Sequence, residues 1–316
     1  MIRFIRTALL FLALGLAASA HAQLFRAYLS GSGSDTNPCT LVAPCRLLPA
    51  ALNAVASGGE IWMLDSANYN SSTVNITKSV SILAIPGVVG SIVAVNSGHA
   101  ITINNAGAKV ALRDLVITSN ATAPGQTGIL VSSATSLSVD RTLFSGLPLN
   151  GIDVETTASL HVGDSLFRNI GSSNQDSAIA VGGGASAEIV DTRIDTSAGY
   201  GVQVTGSTTG VTSRASVVNS SITHAGNCGL FSYTPNPSAL TVLDAVRSSV
   251  SNSNAGLCVQ GGVNSVASIN GVAIQQNTNG VYILSSGAVV RSFGNNSIIS
   301  NVNSFPGGPM TGAALQ

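Results

Sequence analysis

Charge is scarce in this sequence. Only 8% of its 316 residues are charged, with 13 basic against 13 acidic side chains and a formal net charge of zero. No basic stripe is present that would neutralise phosphates, which argues against nucleic acid as a partner. Aromatic residues are few, at 4%. No apolar run beyond the first 22 residues is long enough to span a membrane. No group of residues has metal-ligand spacing, so no metal and no cofactor is expected from spacing alone. Regular Thr-x-Thr arrays of the ice-binding kind are absent. What is plentiful is hydrophobic residues, at 45%, and glycine, at 34 positions. That balance excludes disorder.

The first 22 residues have the three parts of a cleaved export signal. Arg3 and Arg6 lead, Leu9 to Leu16 is apolar, and Ala20-His21-Ala22 fits a small-x-small cleavage site. The mature chain is expected to begin at Gln23 and to be periplasmic or extracellular. Its four cysteines, Cys39, Cys45, Cys228 and Cys258, would meet oxidising conditions and pair. Four cysteines permit three connectivities. Cys39 and Cys45 would close a small loop around Pro44. Cys228 and Cys258 lie three residues out of step in neighbouring repeats, roughly 10 Å along a strand. Their pairing requires a bulge or a turn, because bonded cysteines keep Cα atoms within about 7 Å.

A short row returns through the chain from Val110 to Ile298. Ile189-Val190-Asp191-Thr192-Arg193-Ile194 is one copy, and Val217-Val218-Asn219-Ser220-Ser221-Ile222 is the next. The closing apolar residue falls at 117, 144, 167, 194, 222, 250, 274 and 298, in steps of 23 to 28 residues. A second motif runs in phase, as in Gly151-Ile152-Asp153-Val154 and Gly201-Val202-Gln203-Val204. These apolar runs are too short for helices and are punctuated by Ser, Thr, Asn and Gly, so they read as strands. A propeller blade, at about 40 residues, is too long for this period. Coils with two or three short strands each, stacked at about 4.8 Å, give a parallel β-helix. The closing residues then form an interior stack. The column Leu115, Thr142, Ser165, Thr192, Ser220, Ser248, Val272 and Asn296 places small hydroxyls inward near a bend, bonded to backbone.

The expected organisation is a signal peptide at 1–22, an N-terminal cap at 23–65, β-helix coils at 66–305 and a C-terminal tail at 306–316. Leu47 to Ala56 reads as a capping helix stopped by Gly58-Gly59, and Glu60 to Leu64 as a strand. Trp62 and Met63 are expected to pack in the core at this join. The Gly- and Pro-rich tail is a weak cap, and an unprotected sheet end invites a partner.

The entry Ser30-Gly31-Ser32-Gly33-Ser34-Asp35, the Cys39 to Cys45 segment, Ala50 to Trp62, the strand Val74-Asn75-Ile76-Thr77-Lys78 and the coils beyond it resemble exported bacterial right-handed parallel β-helix proteins of the pectin-lyase-like superfamily. The resemblance covers about residues 23–305. It implies an all-β right-handed solenoid with an N-terminal capping helix. It does not single out a function, because the superfamily implies lyases, hydrolases, esterases and adhesins alike.

A lyase of this kind implies a calcium-binding carboxylate cluster and a basic residue that removes a proton α to a uronate. The best candidates are Arg141, Asp164 and Asp191, in one column two residues after each row start. Calcium would enter only under that reading. Asp and Asn are also the residues that turns favour. The hydrolase signatures of the superfamily, Asn-Thr-Asp, Asp-Asp and Gly-His-Gly, are missing, with Gly98-His99-Ala100 the nearest fragment. Asp153, Glu155, Asp164, Glu188 and Asp191 supply carboxylates without a defined pair. His161 and His224 read as surface or turn residues. For sugar contact, Phe231 and Tyr282 occupy the outward position of coils two apart, with Cys258 between them. The leading expectation is a non-catalytic binding or structural role at the cell envelope, with a polysaccharide or an envelope protein as partner. The alternative is a polysaccharide lyase or glycoside hydrolase acting on acidic polysaccharide.

Overall fold

The computed structural model describes residues 23–312. The expected signal peptide and the end of the tail lie outside them. Thirty-one short strands form three sheets in which all paired strands run parallel. Sheet A has 12 strands, from Leu24–Leu29 and Val55–Met63 to Val289–Ser292 and Thr311–Gly312. Sheet B has 10, from Ala67–Asn68 to Ser297–Ile299, and sheet C has 9, from Val74–Ile76 to Asn279–Ile283. The chain visits them in the order C, A, B and then starts the next coil, as in Ile101–Asn104, Lys109–Arg113, Leu115–Ser119 and Ile129–Ser133. The result is a right-handed parallel β-helix.

The interior is built from columns, one residue per coil. Ile117, Phe144, Phe167, Ile194, Ile222, Val250 and Ile274 pair in unbroken register and are at most 2% exposed. Phe144 and Phe167 stack with centroids 4.4 Å apart. Beside them runs the hydroxyl column. Thr192 N–H donates to Ser220 Oγ at 3.1 Å and Ser220 N–H to Ser248 Oγ at 3.1 Å. Each hydroxyl in turn donates to a carbonyl two residues back, as Ser220 Oγ does to Val218 O at 2.8 Å. Buried polar atoms are thereby satisfied where the chain turns between sheets A and B.

That turn is one residue long. Asp114, Arg141, Asp164, Asp191, Asn219, Arg247 and Gly271 occupy it, with φ between 46° and 65°. Left-handed backbone favours Gly, Asn and Asp, whose short side chains tolerate it. This conformation accounts for the Asp, Asn and Gly of the column, which are five of its seven residues.

The cap departs from expectation in two places. Helix α1 spans Leu48–Ala54 and buries Leu48, Ala51 and Leu52 over the open first coil. It ends before Gly58-Gly59, because Val55 is already extended and pairs with Leu24. The two glycines lie within a strand, where the register slips between Leu24 and Arg26. A Cβ on Gly59 would come within 2.5 Å of Phe25 O. Met63 is fully buried as expected, but Trp62 is only half-buried and faces outward. Arg26 lies over its ring, 3.9 Å from the centroid, and Glu60 accepts from both Trp62 Nε1 and Arg26 Nε. At the other end, Ile299, Val302 and Phe305 are 56%, 79% and 46% exposed. Among the described residues no helix is long and apolar enough to cross a membrane.

Candidate functional site

The three faces of the solenoid differ sharply in charge. Sheets A and B carry Arg26, Lys109, Arg113, Arg168, Arg193, Arg214 and Arg291 on their strands, while the nine strands of sheet C contain one charged residue, Asp153. The outward column of sheet C runs Thr102, Leu130, Asp153, Ala180, Gln203, Phe231, Cys258 and Tyr282, one residue per coil. The neighbouring outward column carries Glu155, Gly182, Thr205 and Tyr233.

Small residues create a groove here. Ala180 and Gly182 follow Asp153 and Glu155 by one coil and lie below Gln203 and Thr205 in the next. Walled by Asn150, Gln175 and the loop at Ser207 and Thr208, the depression measures about 320 Å³. Its charged lining residues are Asp153 and Glu155.

Asp153 is oriented by Asn150. Asn150 Oδ1 accepts the Ser177 N–H at 2.8 Å, which leaves Asn150 Nδ2 to donate to Asp153 Oδ2, also at 2.8 Å. Burial pushes the Asp153 carboxyl above the usual carboxylate range, and the charge of Glu155 adds to that, although the Asn150 hydrogen bond opposes it. Glu155 is exposed. Glu155 follows Asp153 by two residues, just past the end of the strand Ile152–Val154, and in extended chain the two backbone positions are roughly 6.5–7 Å apart.

Next to the groove lies an aromatic shelf. Phe231 stacks on Tyr200 at 4.7 Å and on Tyr233 at 5.4 Å, with interplanar angles of 23° and 7°. Cys228 and Cys258 are bonded within the same cluster, with Cα atoms 6.0 Å apart. The register is regular, with Cys228 opposite Ala255 and Phe231 opposite Cys258. A straight pair of strands would hold the cysteines roughly 10 Å apart along the strand, so the chain bends within this stretch. Phe231 points outward, but its neighbours cover it to 4% exposure. Tyr233 and Tyr282 are the half-exposed rings. The second bridge, Cys39–Cys45, closes the N-terminal loop with Cα atoms 4.6 Å apart.

Arg141, Asp164 and Asp191 lie elsewhere, exposed on the A–B corner. Arg141 Nε and Nη2 close on the carboxylate of Asp114 at 2.8 and 2.9 Å rather than on Asp164. Among the described residues no group of three or more His, Cys, Asp or Glu side chains is disposed to hold a metal ion. His161 Nδ1 lies 3.2 Å from Glu188, and His224, itself left-handed at φ 56°, lies 3.2 Å from Asp195. His99 is half-buried with Nδ1 unpartnered, and burial holds its imidazole below the usual histidine range.

The sequence pattern of the right handed beta helix region family matches residues 99–262, more than half of the chain. The chain belongs to this family. No curated protein matches it by sequence. Among solved structures, this β-helix is similar to an alginate lyase from Paenibacillus sp. at 14% identity and TM-score 0.64, covering 90% of this chain and 99% of that one. It is similar to XylC in complex with xylose at 7% identity and TM-score 0.58, covering 85% and 68%. It is similar to pectate lyase Pel9A at 15% identity and TM-score 0.55, covering 92% and 82%. At these identities the likeness is one of fold. The matched family region contains the whole groove and the aromatic shelf as far as Cys258.

Proposed function

We propose that the protein is an exported glycoside hydrolase, with the groove on sheet C as its active site. One observation carries this reading. Asp153 has a carboxyl held up by burial and stands with Glu155 on the same outward face of a groove. Their backbone positions lie roughly 6.5–7 Å apart, from which the two carboxyls can reach the about 6.5–9.5 Å that admits a water in inverting glycosidases.

Asp153, protonated, gives its proton to the glycosidic oxygen as the bond to the anomeric carbon breaks. Glu155 takes a proton from a water that attacks that carbon from the opposite face. Two shorter glycans leave, one with a new reducing end of inverted configuration. The similar solved structures include an alginate lyase and a pectate lyase, but the groove lining here contains no Lys or Arg to act as a lyase base. The formed disulfides support an oxidising compartment, periplasmic or extracellular.

The test is reducing-end release from a glycan panel by the wild type, Asp153→Asn and Glu155→Gln. Loss of about 100-fold or more in each variant is expected, the scale of general acid–base catalysis. Turnover that survives both substitutions, or products with unsaturated ends, would contradict the assignment.

A further inference from the structure

We propose that the groove continues onto the Tyr233 and Tyr282 shelf, and that the combined cleft takes an uncharged glycan chain lying along the solenoid axis. The proposal rests on the reading of the groove as a glycan site and names the substrate class.

Continuity comes from the register. Gln203 and Thr205, at one end of the groove, pair directly with Phe231 and Tyr233 in the next coil. From Asp153 the outward column reaches Phe231 in three strand steps, roughly 14 Å, and Tyr282 in five, roughly 24 Å. The course is unobstructed at its start because Ala180 and Gly182 stand where neighbouring coils place longer side chains. A polysaccharide that contacts both Asp153 and Tyr233 must therefore run across the strands, coil by coil.

The chemistry of the shelf suits the C–H face of a pyranose ring. Tyr233 is the outer ring of a three-ring stack, so its position is fixed before a sugar arrives. The Cys228–Cys258 bridge packs in the same cluster and ties two adjacent coils beside the rings. A preset ring loses little freedom on contact, which favours binding. Tyr282 lies beyond Cys258 in the same column, packed against that cluster and half-exposed.

Charge then decides the class of glycan. The strands of sheet C hold no Lys or Arg, and the groove holds two carboxyls. A polyuronate would bring a carboxylate on every residue to a face with no cation to receive it, and like charges across a partly desolvated contact oppose binding. Uncharged hexoses, pentoses and N-acetylhexosamines carry no such penalty, and Gln175, Gln203 and Asn150 offer both donors and acceptors to hydroxyls.

The experiment measures binding by calorimetry in the Asp153→Asn protein, so that turnover does not intrude. The probes are hexasaccharides of β-1,4-linked xylose, glucose, mannose and N-acetylglucosamine, with hexagalacturonate alongside. At least one uncharged hexasaccharide is expected to bind more tightly than hexagalacturonate. Tyr233→Ala or Tyr282→Ala, each at an outward position, is expected to weaken it about tenfold, the scale of one aromatic contact. Equal or tighter binding of hexagalacturonate would overturn the substrate class. Unchanged affinity in both tyrosine variants would overturn the shelf, and no binding by any probe would overturn both. Binding without reducing-end release by the wild type would sink the hydrolase reading alone and leave the cleft assignment standing.

Discussion

Asp191 and Asp153 are both aspartates on the outside of the solenoid wall, and the structure uses them in opposite ways. Asp191 stands on the convex A–B corner, exposed, at φ 49°. It is one of seven residues in a column of left-handed backbone that Asn, Arg and Gly also occupy. Asp153 stands on a flat face with regular strand geometry that asks nothing of its residue type. Its neighbours in the column are Leu130 and Ala180. A charge in that position is costly unless it does something, because burial works against its ionised form. Acidic residues that recur down a solenoid therefore report backbone, and a pair confined to one coil of an otherwise uncharged face reports chemistry.

The contrast can be broken most directly by paired substitutions. Asp153→Asn is expected to lower hydrolysis by about 10²–10⁴-fold, while Asp191→Asn leaves it unchanged, as read by reducing-end release. Filling the groove comes next. A Cβ on Gly182 would meet nothing nearer than 3.4 Å, and the residue's φ is not positive, so Gly182→Leu should fold normally. It should cost about tenfold or more in oligosaccharide affinity with Tm little changed.

On the corner the expected effects are on stability. Asp191→Val forces a β-branched residue into left-handed backbone and is expected to cost about 1–2 kcal/mol, measured by denaturant unfolding, with hydrolysis per folded molecule unaltered. A smaller effect separates the two aspartates again. Because burial raises the Asp153 carboxyl, its contribution to folding is present below the unfolded-state carboxylate range and is lost as pH rises through the raised value. Asp153→Asn should therefore raise Tm near neutral pH and leave it unchanged in acid. Smallest is Asp114→Asn, which breaks an ion pair to Arg141 whose side chains are 34% and 49% exposed. A loss below about 1 kcal/mol is expected, diminishing in salt.

The fold was legible because a column repeats. Ile117 to Ile298 and Thr142 to Asn296 each appear many times at nearly constant spacing, and both columns stand where the pattern puts them. The corner column was equally visible, but a repeat shows that a position is constrained and not by what. The left-handed turn became evident only with backbone angles. Asp153 carried a fainter signal. It is the one charged residue in the outward place of the small-apolar-x-apolar motif, and it is followed one coil later by Ala180 and Gly182. The groove itself was not legible, because its walls are Asn150, Gln175 and the Ser207 loop, which belong to connections of irregular length. Phe231 was correctly placed outward, yet its burial by Tyr200 and Tyr233 depends on three coils meeting. The Cys228–Cys258 bridge needed a bend, which its Cα separation of 6.0 Å shows and the sequence spacing alone does not.

The most direct test of the account is the anomeric configuration of the first product, followed by NMR during hydrolysis of an uncharged oligosaccharide by the wild type, with Asp153→Asn and Asp191→Asn in parallel. The account predicts an inverted product from the wild type and from Asp191→Asn, and none from Asp153→Asn. A retained configuration, or full activity in Asp153→Asn, would contradict it.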